Sequence, residues 1–376
     1  NLIQKGKKKI EGAPKPALGR KVTRAGVVGA GLMASQLALL IMRNLKVPVV
    51  ITDLDQERVD KGIAWINNEI DTLVSKKRVR PDEASRLKSL LSGSVDKSVY
   101  AKCDFIIEAV FEELSIKQKL FKELEEIITP ECILATNTSS LSVTKMSEGL
   151  KNPERVIGFH FFNPVAVMPL LEIARTEKTD DATTATAVSV GKDLKKTMVI
   201  VKDAPAFVVN RLLMRFMGEI TDSLDEGTPS EIADSAMDPL GLPMTSFELL
   251  GLVGPGVALH VGQSLNGSLG ERYRISPTIE RLVKSGVKTF YIKDEKGNQK
   301  INPDAAACLQ PGDKPATAEE VRLRALNALA SEARMMLDEG VIATAAEIDL
   351  CMILGTGWPL HLGGILPYLD REGISE

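Results

Sequence analysis

Ala25-Gly-Val-Val-Gly-Ala-Gly-Leu-Met-Ala34, an apolar-periodic run to Lys46, and then Val47-Pro-Val-Val-Ile-Thr-Asp53 form the stretch on which the fold turns. Residues 25–29 read as a short buried strand. Met33, Leu37, Leu40 and Ile41 share one face of a helix over about 32–46. Val47 to Asp53 reads as a second apolar strand ending in an acid. Gly29 permits a tight turn, and Gly31 lets the backbone approach a pyrophosphate. The helix amino terminus turns free N–H groups toward that charge. Ala34 supplies the third small residue, which lets the helix pack on the strand. Asp53 lies 22 residues after Gly31, where a carboxylate can accept both ribose hydroxyls. The stretch implies a dinucleotide site. A carboxylate at Asp53 repels a 2′-phosphate, and Leu54, Asp55 and Gln56 bring no compensating arginine. NAD is therefore expected over NADP, with FAD the minor alternative.

The same alternation continues outward. Residues 55–77 and 81–91 read as helices broken near Arg80-Pro81. Strands are expected at 104–110, 132–136, 156–161, 170–174 and 198–201, and helices at 114–128 and 181–195. These elements spell an α/β, Rossmann-type doubly wound sheet of roughly 200 residues. Ligands in such sheets sit beyond the carboxyl ends of the strands. Asn137-Thr-Ser-Ser140 lies at one such end, although a polar helix cap explains those residues equally well.

His160 and Glu172 form the sharpest pair. His160 stands in Gly158-Phe-His-Phe-Phe-Asn-Pro164, and Glu172 is an isolated acid in Leu170-Leu-Glu-Ile-Ala174. Polar groups in such apolar runs need partners or solvent. A carboxylate on one imidazole nitrogen fixes the tautomer and leaves the other to take a hydroxyl proton. The alternative is a packed histidine and a solvent-facing glutamate. No Gly-x-Ser-x-Gly elbow or phosphate-binding Gly-Lys-Ser/Thr loop competes. Cys103, Cys132, Cys308 and Cys351 show neither zinc nor disulfide spacing, and three histidines exclude a histidine-rich metal site.

After Asp203-Ala-Pro205 the pattern becomes helical: one long helix over 207–226, then helices near 230–237 and 246–265. Leu224-Asp-Glu-Gly227 recurs as Leu337-Asp-Glu-Gly340, and Gly241-Leu-Pro243 as Gly357-Trp-Pro359. This is a two-copy helical repeat. Tyr291-Ile-Lys, Asp294, Gly297-Asn298 and Pro303 suggest an irregular or small β segment between the copies. His260 and His361 read as packing or surface residues.

With 47 basic and 50 acidic residues the net charge is -3, which offers no argument for a nucleic-acid partner. No apolar run approaches a membrane span. The first 24 residues carry eight Lys or Arg and one Glu, including Lys5, Lys7, Lys8 and Lys9. Without an apolar secretory core they read as an interdomain linker, and a cytoplasmic location is expected.

From about residue 22 onward the motifs resemble the L-3-hydroxyacyl-CoA dehydrogenases, and in particular the dehydrogenase part of bacterial multifunctional fatty-acid oxidation alpha subunits. The fingerprint, Ile107-Glu-Ala-Val110, Asn137-Thr-Ser-Ser-Leu141, Gly158-Phe-His-Phe-Phe-Asn-Pro164 and Val208-Val-Asn-Arg211 carry that resemblance. It implies that His160 is the base and Glu172 its holder, and that Ser139 and Asn210 contact substrate or position the site. Lys117 is implied to lie near the nucleotide or CoA. The expected cofactor set is then Gly29, Gly31, Leu32, Met33, Asp53, Glu112, Lys117 and Asn137, with NAD as cofactor and no metal. The implied reaction is oxidation of (3S)-3-hydroxyacyl-CoA to 3-oxoacyl-CoA in fatty-acid β-oxidation. Implied partners are an upstream enoyl-CoA hydratase/isomerase domain, a thiolase subunit and a second copy in a homodimer. The expected divisions are a linker remnant at 1–21, an NAD-binding domain at 22–203, a first helical domain at 204–295, a connector at 296–320 and a second helical repeat at 321–376. Ala34, Thr245-Ser-Phe-Glu-Leu249 and the Gly254–His260 region depart from the common pattern. They leave chain length and dimer contacts open. The competing readings are another NAD-dependent β-hydroxyacid dehydrogenase and a non-catalytic NAD-binding module of a larger assembly.

Overall fold

The computed structural model describes residues 3, 4, 6, 9–296, 299–310 and 312–374. Lys5, Lys7 and Lys8 of the expected linker and Gly297-Asn298 of the expected connector lie outside the described residues. The chain forms two compact units that divide between Ala204 and Pro205.

The first unit alternates strands and helices. In order they are β1 (Ala25–Val28), α1 (Leu32–Leu45), β2 (Val49–Thr52), α2 (Gln56–Ser75), α3 (Pro81–Leu90), β3 (Leu91–Ser94), β4 (Phe105–Glu108), α4 (Leu114–Glu125), β5 (Ile133–Thr136), α5 (Val143–Ser147), β6 (Val156–Phe161), β7 (Leu170–Arg175), α6 (Asp181–Asp193) and β8 (Thr197–Lys202). The sheet order is β3-β2-β1-β4-β5-β6-β7-β8. Every neighbouring pair is parallel except β6 and β7. Strands β1, β2, β4 and β5 are buried at every position, as apolar runs covered on both faces must be. The order reverses between β1 and β4, which opens the ligand crevice beyond their carboxyl ends.

One strand was hidden in the sequence. The helix expected over 81–91 stops at Leu90, and Leu91–Ser94 runs parallel to β2 as the sheet edge. Its Leu-Ser-Gly-Ser composition has no apolar run to announce it. Gly93 is needed there because a Cβ would lie 2.5 Å from Val59 Cγ1.

The second unit is helical apart from a short antiparallel pair, β9 (Tyr291–Lys293) with β10 (Gln299–Ile301). Its helices are α7 (Val209–Asp225), α8 (Ser230–Ser235), α9 (Ser246–Val253), α10 (Pro255–Leu269), α11 (Pro277–Lys284), α12 (Pro303–Ala306), α13 (Ala318–Asp338), α14 (Ala345–Thr356) and α15 (Ile365–Arg371). The long helix expected from 207 starts at Val209, because Ala206 and Phe207 hold φ of 58° and 53°, outside the right-handed helical region. The helix expected over 246–265 is two helices. Gly254 at φ 90° and Pro255, which has no N–H to donate, separate them.

The repeat is visible in three dimensions. Gly227 and Gly340 end the paired helices at positive φ, as do Gly241 and Gly357 at the second shared motif. Helices α7 and α13 also exchange ion pairs. Arg211 bonds Glu332 at 2.6 Å and Glu339 at 2.7 Å, while Arg324 bonds Glu219 at 3.2 Å and Glu226 at 2.6 Å. Arg324, Glu332 and Glu339 each lie 113 residues after Arg211, Glu219 and Glu226. Each copy's arginine therefore meets the other copy's two acids.

Candidate active site

The fingerprint turn sits at the carboxyl end of β1. Gly29 holds φ 113°, and a Cβ there would lie 2.9 Å from the Ala109 carbonyl. A side chain is excluded on both grounds. A Cβ on Gly31 would meet nothing within 4 Å. Gly31 is the N-cap of α1, and no side chain caps that helix. Open space thus faces uncapped N–H groups, the arrangement a pyrophosphate fits. Leu32, 57% exposed, borders that space, and Met33 is half-buried. Asp53 stands beside the turn and accepts from the amides of Ala30 at 2.8 Å and Leu54 at 2.7 Å. Arg58, five residues further on, lies 3.6 Å from Asp53 and 3.3 Å from Asp55. No arginine follows Asp53 immediately, yet the first turn of α2 brings one back to it.

Antiparallel pairing of β6 and β7 places His160 directly opposite Glu172. Nδ1 of His160 lies 2.7 Å from Oε2 of Glu172, and both residues are buried. Glu172 therefore does not point to solvent. With Nδ1 engaged by the carboxylate, the imidazole is set to use Nε2. Phe162 packs against the imidazole with ring centroids 4.5 Å apart. Asn137, at the end of β5, accepts the Phe161 amide at 2.9 Å and so fastens the strand next to the histidine.

A second cluster forms where β4 and β5 end. The Lys117 ammonium, 1% exposed, contacts Glu108 and Glu112 at 2.8 Å each. Glu108 also accepts from the Thr136 hydroxyl and from the Val110 amide. Glu112 accepts from the Thr138 hydroxyl at 2.6 Å, the Ser139 amide at 2.9 Å and the Ser139 hydroxyl at 3.3 Å. Burial pushes the Glu112 carboxyl up. The Lys117 charge and the Lys117, Thr138 and Ser139 hydrogen bonds more than offset it and hold the group below the usual carboxylate range. Burial would lower Lys117, but the two carboxylates raise it above the usual ammonium range.

Ser139, Glu112 and Lys117 are thus brought together, and His160 is brought to Glu172. Asn210 is the second residue of α7, in the second unit. Sequence reasoning passed over Glu108, although it is an isolated acid in an apolar strand and so carries the same signal as Glu172. It also passed over Thr138, whose hydroxyl both donates to Glu112 and accepts from the Leu141 amide at 3.0 Å.

Two family models cover most of the chain: 3-hydroxyacyl-CoA dehydrogenase, NAD binding domain, over residues 24–204, and 3-hydroxyacyl-CoA dehydrogenase, C-terminal domain, over 207–290. The chain belongs to the 3-hydroxyacyl-CoA dehydrogenase family. Members of this family are NAD-dependent oxidoreductases, and the model matched over the first unit is an NAD binding domain. A fatty acid oxidation complex subunit alpha from Idiomarina loihiensis is 35% identical over 94% of this chain and 51% of its own length. The peroxisomal fatty acid beta-oxidation multifunctional protein AIM1 of Arabidopsis thaliana is 33% identical over 94% of this chain and 51% of its own. The chain spans about half the length of these curated relatives. The crystal structure of (S)-3-hydroxybutyryl-CoA dehydrogenase PaaH1 from Ralstonia eutropha superposes with a TM-score of 0.67 at 31% identity, covering 71% of this chain and 95% of that one. Among the described residues no helix is long and apolar enough to cross a membrane.

Proposed function

We propose that His160 is the general base for oxidation of (3S)-3-hydroxyacyl-CoA to 3-oxoacyl-CoA, and that Glu172 holds it. The supporting observation is the buried 2.7 Å contact between Nδ1 and Glu172, which fixes the orientation of the imidazole and turns Nε2 to the opposite side of the ring. The O–H proton goes to Nε2, and the carboxylate stabilises the imidazolium that forms. Bound NAD supplies the chemistry of hydride acceptance from the carbinol carbon. Ser139, oriented by Glu112, and Asn210 contact the substrate or position it. Gly29, Gly31, Leu32, Met33, Asp53 and Asn137 hold the cofactor, while Lys117 acts there through Glu112.

The relatives' names support a place in fatty-acid β-oxidation. In the intact protein we place an enoyl-CoA hydratase/isomerase domain upstream, joined through residues 1–21. The dehydrogenase would then comprise 22–203, 204–295, a connector at 296–320 and the repeat at 321–376. A thiolase subunit and a second copy of the chain are proposed partners. The cytoplasm is the proposed location, with the peroxisomal relative marking the alternative compartment. The test is NADH formation from (3S)-3-hydroxyacyl-CoA by wild-type protein and by His160→Gln. Loss of about 100-fold or more in turnover with NAD affinity retained is expected. Near-normal turnover by the variant rejects His160 as the base.

A further inference from the structure

The chain between the base and the acid is held by a residue of the cofactor helix. Residues 162–169 run from β6, which carries His160, to β7, which carries Glu172. Gln36, in the second turn of α1, reaches this loop with both ends of its amide. Its Nε2 donates to Asn163 Oδ1 at 3.2 Å, and its Oε1 accepts from the Val165 amide at 2.8 Å. The bridged residues flank Pro164. From the other side the Lys196 ammonium donates to the Val165 carbonyl at 2.5 Å and the Met168 carbonyl at 2.7 Å. Val165, fully buried, is thus held at its N–H by α1 and at its C=O by the start of β8.

In the sheet, β4 and β5 separate β1 from β6. The backbone ladder therefore couples the pyrophosphate turn to the histidine strand only through two intervening strands. The Gln36 amide is a direct polar link from the helix to the loop. Hydride transfer to a cofactor held on one element, from a carbinol whose hydroxyl is aligned by the base on the other, tolerates misplacement of well under 1 Å.

We propose that Gln36 is a positioning residue that couples the cofactor helix to the base-bearing hairpin. The proposal rests on the assignment of His160 and NAD above, but part of its test does not. Gln36→Met keeps the side chain's length and removes both hydrogen bonds. Gln36→Glu keeps an acceptor for the Val165 amide and loses the donor to Asn163.

Hydrogen exchange followed at Val165 and Met168, with and without NAD, reads the coupling without turnover. In wild-type protein NAD should slow exchange at Val165 by about tenfold, as expected for one tightened hydrogen bond. In Gln36→Met that NAD effect should vanish while NAD still binds within about twofold of wild type. Turnover should fall about tenfold in Gln36→Met. The isotope effect with substrate deuterated at the carbinol carbon should rise, because the slowed step is hydride transfer. Gln36→Glu should lie between the two in both readouts.

An NAD effect on Val165 exchange that is absent in wild type, or unchanged in Gln36→Met, overturns the coupling. A turnover loss in Gln36→Met with no change in isotope effect, or one matched by lost NAD affinity, overturns the positioning role. Wild-type protein inert toward every 3-hydroxyacyl-CoA would sink the proposed reaction instead, and the exchange measurement would still decide Gln36.

Discussion

Glu172→Gln tests the proposed chemistry most directly, because it changes one buried charge and almost no volume. The carboxylate is fully buried and 2.7 Å from His160 Nδ1. A hydrogen bond to a charged group is worth about 1.5–3 kcal/mol net. Losing it from the step that makes the imidazolium costs roughly 10- to 150-fold in turnover. A second effect works the same way. The glutamine amide can turn its NH2 toward Nδ1, which then must accept, and the proton moves to Nε2. The base would be blocked outright; the same replacement in an acid–histidine pair costs up to about 10⁴-fold. Turnover should therefore fall at least about 100-fold, with NAD binding retained because three strands separate β7 from the phosphate turn on β1. The fold should survive, since a neutral amide leaves no unpaired charge behind. The assay is NADH formation from (3S)-3-hydroxyacyl-CoA across pH, beside NAD titration and thermal unfolding. Parent-like turnover with a parent-like pH dependence would refute the dyad.

Asp53→Ser removes the charge proposed to meet the ribose and leaves Arg58, 3.6 Å away, to meet a 2′-phosphate; the NAD-to-NADP affinity ratio should fall by about tenfold or more, and an unchanged ratio in paired titrations would show that Asp53 does not meet the ribose. Burial lowers Lys196 from 10.5 to about 8, so between those values the unfolded chain binds more protons and this group's contribution to stability rises with pH. Wild type should gain up to about 3 kcal/mol over Lys196→Met across that window, and a flat difference in urea unfolding against pH would refute this. Arg211→Met strands part of a buried ionic cluster and should destabilise the protein by about 3 kcal/mol, whereas Arg324→Met, at a site 35% exposed, should cost about 1 kcal/mol or less. Equal losses in denaturant titrations would show that burial does not separate the two halves of the exchange.

What could be read ahead of the structure was whatever repeats locally. The Gly29–Gly31 turn, the helix behind it and Asp53 are fixed by neighbours in sequence, so their pattern is intact in the chain. His160 and Glu172 were legible for another reason: a polar residue inside an apolar strand must find a partner, and adjacent strands offer few. Glu108 obeys the same logic and could have been found by it. Gln36, Arg58 and Lys196 could not. Each is an ordinary residue in a helix or loop; the partners of Gln36 and Lys196 depend on how the loop at 162–169 crosses the sheet, and Arg58 meets Asp53 and Asp55 only through the first turn of α2. Strand β3 escaped because an edge strand of Leu-Ser-Gly-Ser gains its place from pairing with β2, not from its own hydrophobicity. The repeat was legible in its turn motifs, but the reciprocal arginines were not. Arg211 and Arg324 look like solvated charges until α7 and α13 are paired.

The two acidic clusters at the carboxyl edge of the sheet explain one another. Burying Glu108, Lys117 and Glu172 is expensive, since each charge must find its compensation inside the protein. A core built for stability alone would place apolar residues there. The arrangement makes sense as preorganisation. Glu172 fixes the orientation of the imidazole, and Glu108 anchors Lys117, which holds Glu112, which fixes the Ser139 amide and hydroxyl. Replacing Lys117 by methionine separates the two roles. Glu108 and Glu112 would then be left without their shared cation, and Ser139 would lose its fixed orientation while His160 kept its partner. The expected result is a turnover loss of about tenfold together with lowered stability, and a pH dependence of turnover unlike that of Glu172→Gln. If Lys117→Met instead reproduced the Glu172→Gln profile, the two clusters would be one cooperative unit and the division of labour argued from their separate hydrogen bonds would fail.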